Sequence, residues 1–201
     1  MRFYAGHAKR WLDIAAAALV LAALGVPMLA IAAAVRLDSP GPALFRQTRL
    51  GRGGRPFVML KFRTMRVGAE RTGSGVYSDD ADPRVTRVGR WLRRLSLDEL
   101  PQALNVLRGE MSLIGPRPPL TYHPWPLEGY SEEQRRMFEV RPGITGWAQV
   151  HGRRTVEWGE RIRMNVWYVD HVSFLLDCRI ALATVSKVLA ASDNENVGRT
   201  V

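Results

Sequence analysis

The chain has 201 residues, 46% of them apolar, which is ample for the core of one ordinary domain and excludes a disordered chain. Lysine and arginine number 29 against 19 aspartate and glutamate, and a net charge of +10 points to an anionic partner: nucleic acid, an anionic membrane surface or a phosphorylated ligand. The single cysteine, Cys178, excludes an intramolecular disulfide and, set among apolar residues, reads as a small core side chain.

Residues Ile14 to Val35 carry no charge over 22 positions. As one helix they would measure roughly 33 Å, enough to cross a bilayer core of about 30 Å. The segment is longer than a signal-peptide core, and the chain beyond it stays basic, so cleavage and export are not expected. Lys9 and Arg10 precede it, and Arg36, Arg46, Arg49, Arg52 and Arg55 follow. Both flanks prefer the cytoplasmic side, and a simple crossing satisfies only one of them. Gly25 and Pro27 sit near its middle, where the missing proline amide predicts a bend or break. Hydropathy leaves two forms open: a kinked single span, or a re-entrant hairpin that dips into one leaflet and returns.

Asp38 to Pro42 form a turn cluster that ends the apolar segment. ALFRQTRLG and PFVMLKFRTM read as two strands joined by GRGGR, a connection suited to a hairpin. A helix is expected from about Val85, with Val88, Leu92 and Leu95 on its apolar stripe and Arg84, Arg87, Arg90, Arg93 and Arg94 around it. That cationic face either meets water or rests on lipid headgroups with Trp91 at the interface. SLDELPQ, at Ser96 to Gln102, follows. Ser96 and Glu99 fit a capping box, so a helix should begin near Leu97 and run through LPQALNVL. A helix start with free amides is also a place where phosphate oxygens bind.

In GPRP, at Gly115 to Pro118, two prolines hold Arg117 out on a stiff turn, and a guanidinium fork matches phosphate oxygens. Lys61 and Arg63 in KFRTM, and RPGITGW from Arg141, say little alone. A further helix is expected from Val156 to His171. Another follows in SFLLDCRIALATVSKVLAA, with Phe174, Cys178, Ala181, Val185 and Val188 as its core face. The polar tail from 193 to 201 reads as a flexible end. Together the pieces suggest phosphoryl chemistry: an acidic pair among several cations, one carboxylate attacking phosphorus while the other helps hold Mg²⁺.

The ordered series KFRTM, SLDELPQ with NVLRGEMSLIGPRP, and RPGITGWAQV closely resembles the monotopic phosphoglycosyl transferases, also called bacterial sugar transferases. The resemblance runs from KRWLD at Lys9 to Asp13 through WYVDHVSFLLDCRIAL at Trp167 to Leu182. It implies an α+β, mainly helical fold. A membrane-inserted helix, broken at Pro27, would occupy residues 1–38; a small β-hairpin and interfacial amphipathic helices would surround a cytoplasmic catalytic domain over 39–192. It favours the re-entrant hairpin. It implies transfer of a sugar phosphate from a UDP-sugar to polyprenol phosphate at the cytoplasmic face of the inner membrane, with release of UMP.

By that resemblance Asp98 is the nucleophile and forms a phosphosugar aspartyl intermediate. Glu99, with Asp98 beside it, supports Mg²⁺, and Arg117 binds substrate phosphate. Lys61, Arg63, Arg141 and Gln149 are assigned to the cleft. Two departures stand out: Val26 rather than serine precedes Pro27, and His151 replaces the asparagine of a Gln-Val-Asn-Gly-Arg pattern ending at Arg153, a change that bears on sugar selection. Lacking the extra membrane helices of larger relatives, the chain is expected to be the minimal form, and its apolar hairpin permits a homo-oligomer. Two other readings remain: direct attack by the lipid phosphate with both carboxylates as metal ligands, and a basic membrane-tethered module binding nucleic acid through the Arg84 to Arg94 stripe. Nucleic acid is not the expected partner, because such a module gives no reason for SLDELPQ.

Overall fold

The computed structural model describes residues 4–72, 82–152 and 156–189, so the expected tail and Arg153 lie outside the described residues. Helix α1 (Lys9–Asp38) is the one helix among them that is long and apolar enough to cross a membrane. Pro27 lies inside it, not between two helices. Proline costs the ladder one amide while its neighbours keep helical dihedrals, so any turn at Pro27 is a bend within one element. The two arms expected from the sequence are one continuous helix.

Strands β1 (Leu44–Leu50) and β2 (Pro56–Phe62) form the expected antiparallel hairpin, from Leu44 opposite Phe62 to Leu50 opposite Pro56. Gly53 and Gly54 take the left-handed conformations its connection needs. Helix α2 (Arg87–Arg94) begins where Thr86 accepts a hydrogen bond from the Gly89 amide at 3.0 Å. After it come α3 (Gln102–Arg108), β3 (Ser112–Ile114), the short α4 (Glu132–Arg135), β4 (Gly143–Thr145), α5 (Trp147–His151), α6 (Trp158–Asp170) and α7 (Phe174–Leu189). Strands β3 and β4 pair in parallel, Ser112 opposite Gly143 and Ile114 opposite Thr145.

Helix α1 packs along its length on this body. Ala17, Val20 and Leu21 meet Met59, Ala103, Val106 and Met111, while Met28, Ile31 and Val35 meet Phe62 and Leu92. Both of its ends are also fastened by polar contacts. At the start, Lys9 pairs with Asp177 at 2.6 Å, Arg10 donates to the Val106 carbonyl at 2.6 Å, and Asp13 accepts from the Leu113 amide at 3.0 Å. At the end, Asp38 accepts from the Val88 amide at 2.9 Å, at the first turn of α2.

Helix α7 corrects one expectation. Phe174, Ala181 and Val185 are exposed and Cys178 is half-buried, while Leu176 and Ile180 face the core with Val172, Tyr168 and Ile114. Apolar residues line more than one side of this helix, so periodicity cannot choose the inner side. A buried carboxylate does: Asp177 accepts from the Tyr4 hydroxyl at 2.6 Å and the Tyr168 hydroxyl at 2.7 Å and pairs with Lys9. A charge taken from water must face its partners, and that fixes the helix rotation.

Candidate active site

The SLDELPQ segment does not form the capping box its spacing suggests. Ser96 makes no side-chain cap and holds φ at +54°, the one left-handed non-glycine backbone among the described residues. Such a conformation costs about 1–3 kcal/mol and persists where surrounding structure enforces it. It turns the chain sharply out of α2 into a single 3-10 turn, Leu97–Glu99. Pro101, lacking an amide, then stands at the start of α3, so the helix proper begins at Gln102 instead of Leu97. Asp98 and Glu99 sit on this short turn, at the wall of a cavity of about 1280 Å³.

Glu99 is the fastened member of the pair. Lys61, from β2, donates to its Oε1 at 2.6 Å, and the Arg117 guanidinium lies 3.6 Å from the same oxygen. Burial alone would raise the Glu99 carboxyl, but Lys61 and Arg117 outweigh it and hold the group at about 2. Asp98 goes the other way. Burial pushes it up to about 6 and the neighbouring Glu99 charge adds to this, against the pull of Lys61, Arg93 and Arg117. Two adjacent carboxylates thus have opposite shifts, the pattern by which one site assigns two roles.

Lys61, Asp98, Glu99, Arg117 and Gln149 all line this cavity. Arg63 borders it too, but its side chain serves the scaffold. It is 5% exposed and donates to the carbonyls of Pro42, Pro40 and Ser39 at 2.7, 2.8 and 2.8 Å, clasping the chain just past α1. Arg141 is not brought to the cavity wall; it donates to the Gly109 carbonyl at 2.9 Å. His151 is likewise outside it, its ring lying 3.5 Å from that of Trp147.

Two cations whose charge reaches the acidic pair were not assigned to the site from the sequence. Arg49 on β1 donates to the Gln47 side chain and to the Pro118 carbonyl at 3.0 Å. Burial and the charge of Arg117 lower its affinity for its proton, so an anion placed there would relieve both. Arg93, at the end of α2, donates to Thr64 Oγ1 at 2.9 Å and its charge reaches Asp98. Arg93 was legible only as part of the cationic stripe. Arg49 was legible only as one of the basic residues after the apolar segment, since its contact with the Pro118 carbonyl joins distant parts of the chain.

No cluster of three or more metal-ligating side chains occurs among the described residues. Mg²⁺ does not need one: it is commonly held by one or two carboxylates together with substrate phosphates and water. Asp98 and Glu99 fit that donor set.

The chain matches the family model described as "Bacterial sugar transferase" over residues 4–191. It is 47% identical over 183 residues to a Bacillus subtilis protein described as "Uncharacterized sugar transferase EpsL", covering 91% of this chain and 88% of that one. It is 50% identical over 192 residues to the Caulobacter vibrioides UDP-glucose:undecaprenyl-phosphate glucose-1-phosphate transferase, covering 92% and 71%. To the Aeromonas hydrophila UDP-N-acetylgalactosamine-undecaprenyl-phosphate N-acetylgalactosaminephosphotransferase it is 41% identical over 184 residues, covering 90% of this chain but 43% of the longer relative.

Proposed function

The chain belongs to the bacterial sugar transferases, a family of phosphoglycosyl transferases, and on that premise we propose that it moves a sugar phosphate from a UDP-sugar to polyprenol phosphate at the cytoplasmic face of the inner membrane, through a covalent aspartyl intermediate. The observation that carries this reading is the division between the two carboxylates: Glu99 is held charged by Lys61 and Arg117, while burial keeps its neighbour Asp98 basic for a carboxylate. An Asp98 oxygen attacks the phosphorus that bears the sugar. The bond from that phosphorus to the bridging oxygen breaks, and UMP leaves with the electron pair. An oxygen of polyprenol phosphate then attacks the same phosphorus and returns Asp98 to its carboxylate, giving the polyprenyl diphosphate sugar.

Arg117, and Arg49 behind it, would hold the donor phosphates, with Lys61 keeping Glu99 charged and in place. Glu99 and Asp98 would hold Mg²⁺, which when bound offsets the diphosphate charge. We read α1 as re-entrant. A 30-residue helix is about 45 Å long, so a straight crossing would carry one end across the bilayer from the other. Here Lys9, Arg10 and Asp13 at one end and Asp38 at the other bind one and the same body, which supports placing both ends on one side.

Mixing the detergent-purified protein with a panel of UDP-sugars tests the reaction. UMP should appear as a stoichiometric burst without polyprenol phosphate and catalytically with it, and intact mass should rise by one sugar phosphate. Asp98→Asn should lose both signals, with turnover down at least about 10³-fold. Full turnover by Asp98→Asn would remove the nucleophile assignment. UMP release that depends wholly on the lipid acceptor would favour direct attack.

A further inference from the structure

A hydrogen-bonded line of side chains stands behind the turn that carries Arg117, and the chemistry given above uses only one end of it. Gln47 and Arg49 are two residues apart on β1, so their side chains leave the same face of the strand. Arg49 donates from Nε and Nη2 to Gln47 Oε1 at 2.9 and 2.5 Å, and from Nη1 to the Pro118 carbonyl at 3.0 Å. The Gln47 amide nitrogen donates in turn to Oε1 of Glu70, on the 3-10 turn Ala69–Arg71. Just past Arg49, the Leu50 amide donates to the Pro119 carbonyl at 2.9 Å, so β1 also carries the chain that follows Arg117. Glu70, Gln47, Arg49 and Arg117 all border the cavity.

The hydrogen-bond partners of Arg49 are unusual in being neutral. A guanidinium taken from water is normally set against a carboxylate, because an unmatched buried charge is costly. Here burial and the charge of Arg117 pull Arg49 down to about 9, while Glu99 and Glu70, whose charges push it back up, make no hydrogen bond to it. Glutamate at position 47 would offset that cost directly, since it has the same shape and presents the same oxygen. Glutamine does what glutamate does not: it accepts from a group that can only donate and donates to a group that can only accept, so it links Arg49 to Glu70 and adds no charge of its own. Three of the five guanidinium N–H groups of Arg49 go to Gln47 and Pro118; the other two, one on each Nη, have no partner among the described residues. The side chain is thus fixed in direction, left uncompensated in charge, and keeps two donors of the kind that phosphate oxygens accept.

We propose that Gln47 is a positioning residue for the donor diphosphate: it aims the Arg49 guanidinium beside the Arg117 turn while leaving that charge uncompensated, and Glu70 holds the amide in the orientation that does so. The proposal rests on the donor reading given above and adds to it a reason for a neutral residue at position 47. Its consequence is an exchange of stability for affinity. Moving the carboxylate from position 70 to position 47 helps the empty protein and harms the bound one, an opposition of signs that a purely structural role for Gln47 does not produce.

The paired exchange Gln47→Glu with Glu70→Gln tests this in the detergent-purified full chain, because it conserves net charge and rebuilds the hydrogen bond between the two positions with its direction reversed. Its Tm should equal or exceed the parent's. The Kd of UDP and the KM of the UDP-sugar should each rise at least about tenfold, the loss of about one charge-assisted contact, with a smaller change in kcat. Glu70→Gln alone removes a negative charge and leaves the amide on Arg49, so it should bind UDP no more weakly than the parent. Inorganic diphosphate, titrated by calorimetry, separates this proposal from the donor reading: its Kd should rise by a like factor in the paired exchange, whether or not a nucleotide is recognised. UDP and diphosphate affinities within about twofold of the parent in the paired exchange overturn the proposal. So does a loss of affinity accompanied by a fall in Tm, because a broken scaffold contact gives both. If diphosphate binds the unaltered protein and the exchange weakens it, yet no UDP-sugar yields UMP, the donor reading fails and the placing of Arg49 stands; if diphosphate does not bind the unaltered protein, the proposal falls whatever the donor.

Discussion

Asn105 offers the sharpest test of how the site is held in register. Fully buried on α3, it accepts at Oδ1 from the Leu60 amide at 3.0 Å and donates from Nδ2 to the Val58 carbonyl at 2.7 Å and to Glu110 at 2.7 Å. Strand β2 pairs with β1 on one edge only, so Asn105 does for its other edge what a third strand would do. Asn105→Leu keeps the branched shape of the side chain and strands both backbone groups. At about 1–3 kcal/mol for each buried group left unpaired, the expected loss is about 2–6 kcal/mol. In a chain of this length each kcal/mol moves Tm by about 2–4 °C, so melting in detergent should drop by about 4–24 °C. Lys61 follows Leu60 directly and Glu99 lies just before α3, so UMP release should fall in the same variant as the 2.6 Å Lys61 to Glu99 contact is displaced. A Tm within about 2 °C of the parent would refute the claim that this amide joins the hairpin to the catalytic turn.

The other expectations concern packing, charge and metal. Gly89 on α2 has no room for a side chain, since a Cβ there would lie 2.0 Å from the Thr64 carbonyl oxygen, so Gly89→Ala should cost about 1–3 kcal/mol or more, read as a lower Tm; an unchanged Tm contradicts the close crossing. Lys61→Met leaves Glu99 without its hydrogen-bonded cation and should reduce kcat about 10²-fold or more with a smaller change in KM; wild-type kcat would deny Lys61 its role. Chelation should stop UMP release and Mg²⁺ should restore it; activity that survives exhaustive chelation rules out a metal at Asp98 and Glu99.

The sequence made legible those features that depend on neighbours along the chain. The hairpin came from two strand-like runs about a glycine turn, and α2 from an apolar stripe at helical spacing. Asp98, Glu99, Lys61 and Arg117 came from motifs, and all four meet at one cavity. What stayed hidden depends on contacts distant in sequence. The inner face of α7 is set by a carboxylate that meets Tyr4 and Lys9 from the other end of the chain. Arg63 was assigned to the cleft by its place in KFRTM and does border the cavity, yet three carbonyls that precede β1 take its guanidinium. The local capping pattern at Ser96 lost to a tertiary demand, because Glu99 is worth more beside Lys61 than folded back on its own turn.

Four of the cations at the cavity come from separate segments: Arg49 from β1, Lys61 from β2, Arg93 from α2 and Arg117 from the GPRP turn. Each of the first three is anchored by a short hydrogen bond, Arg49 to Pro118, Lys61 to Glu99 and Arg93 to Thr64, whereas Arg117 stands 3.6 Å from its carboxylate with its side chain 29% exposed. The anchored three supply a fixed positive field that needs no rearrangement when an anion arrives, which is where electrostatic stabilisation is most effective. Of these four, Arg117 is the one free to change partner, from Glu99 to a phosphate, at little cost in hydrogen bonding. On the proposed reaction this exchange would leave Lys61 as the remaining cation on Glu99, so the motion that receives the substrate phosphate would also free the carboxylate to help hold Mg²⁺.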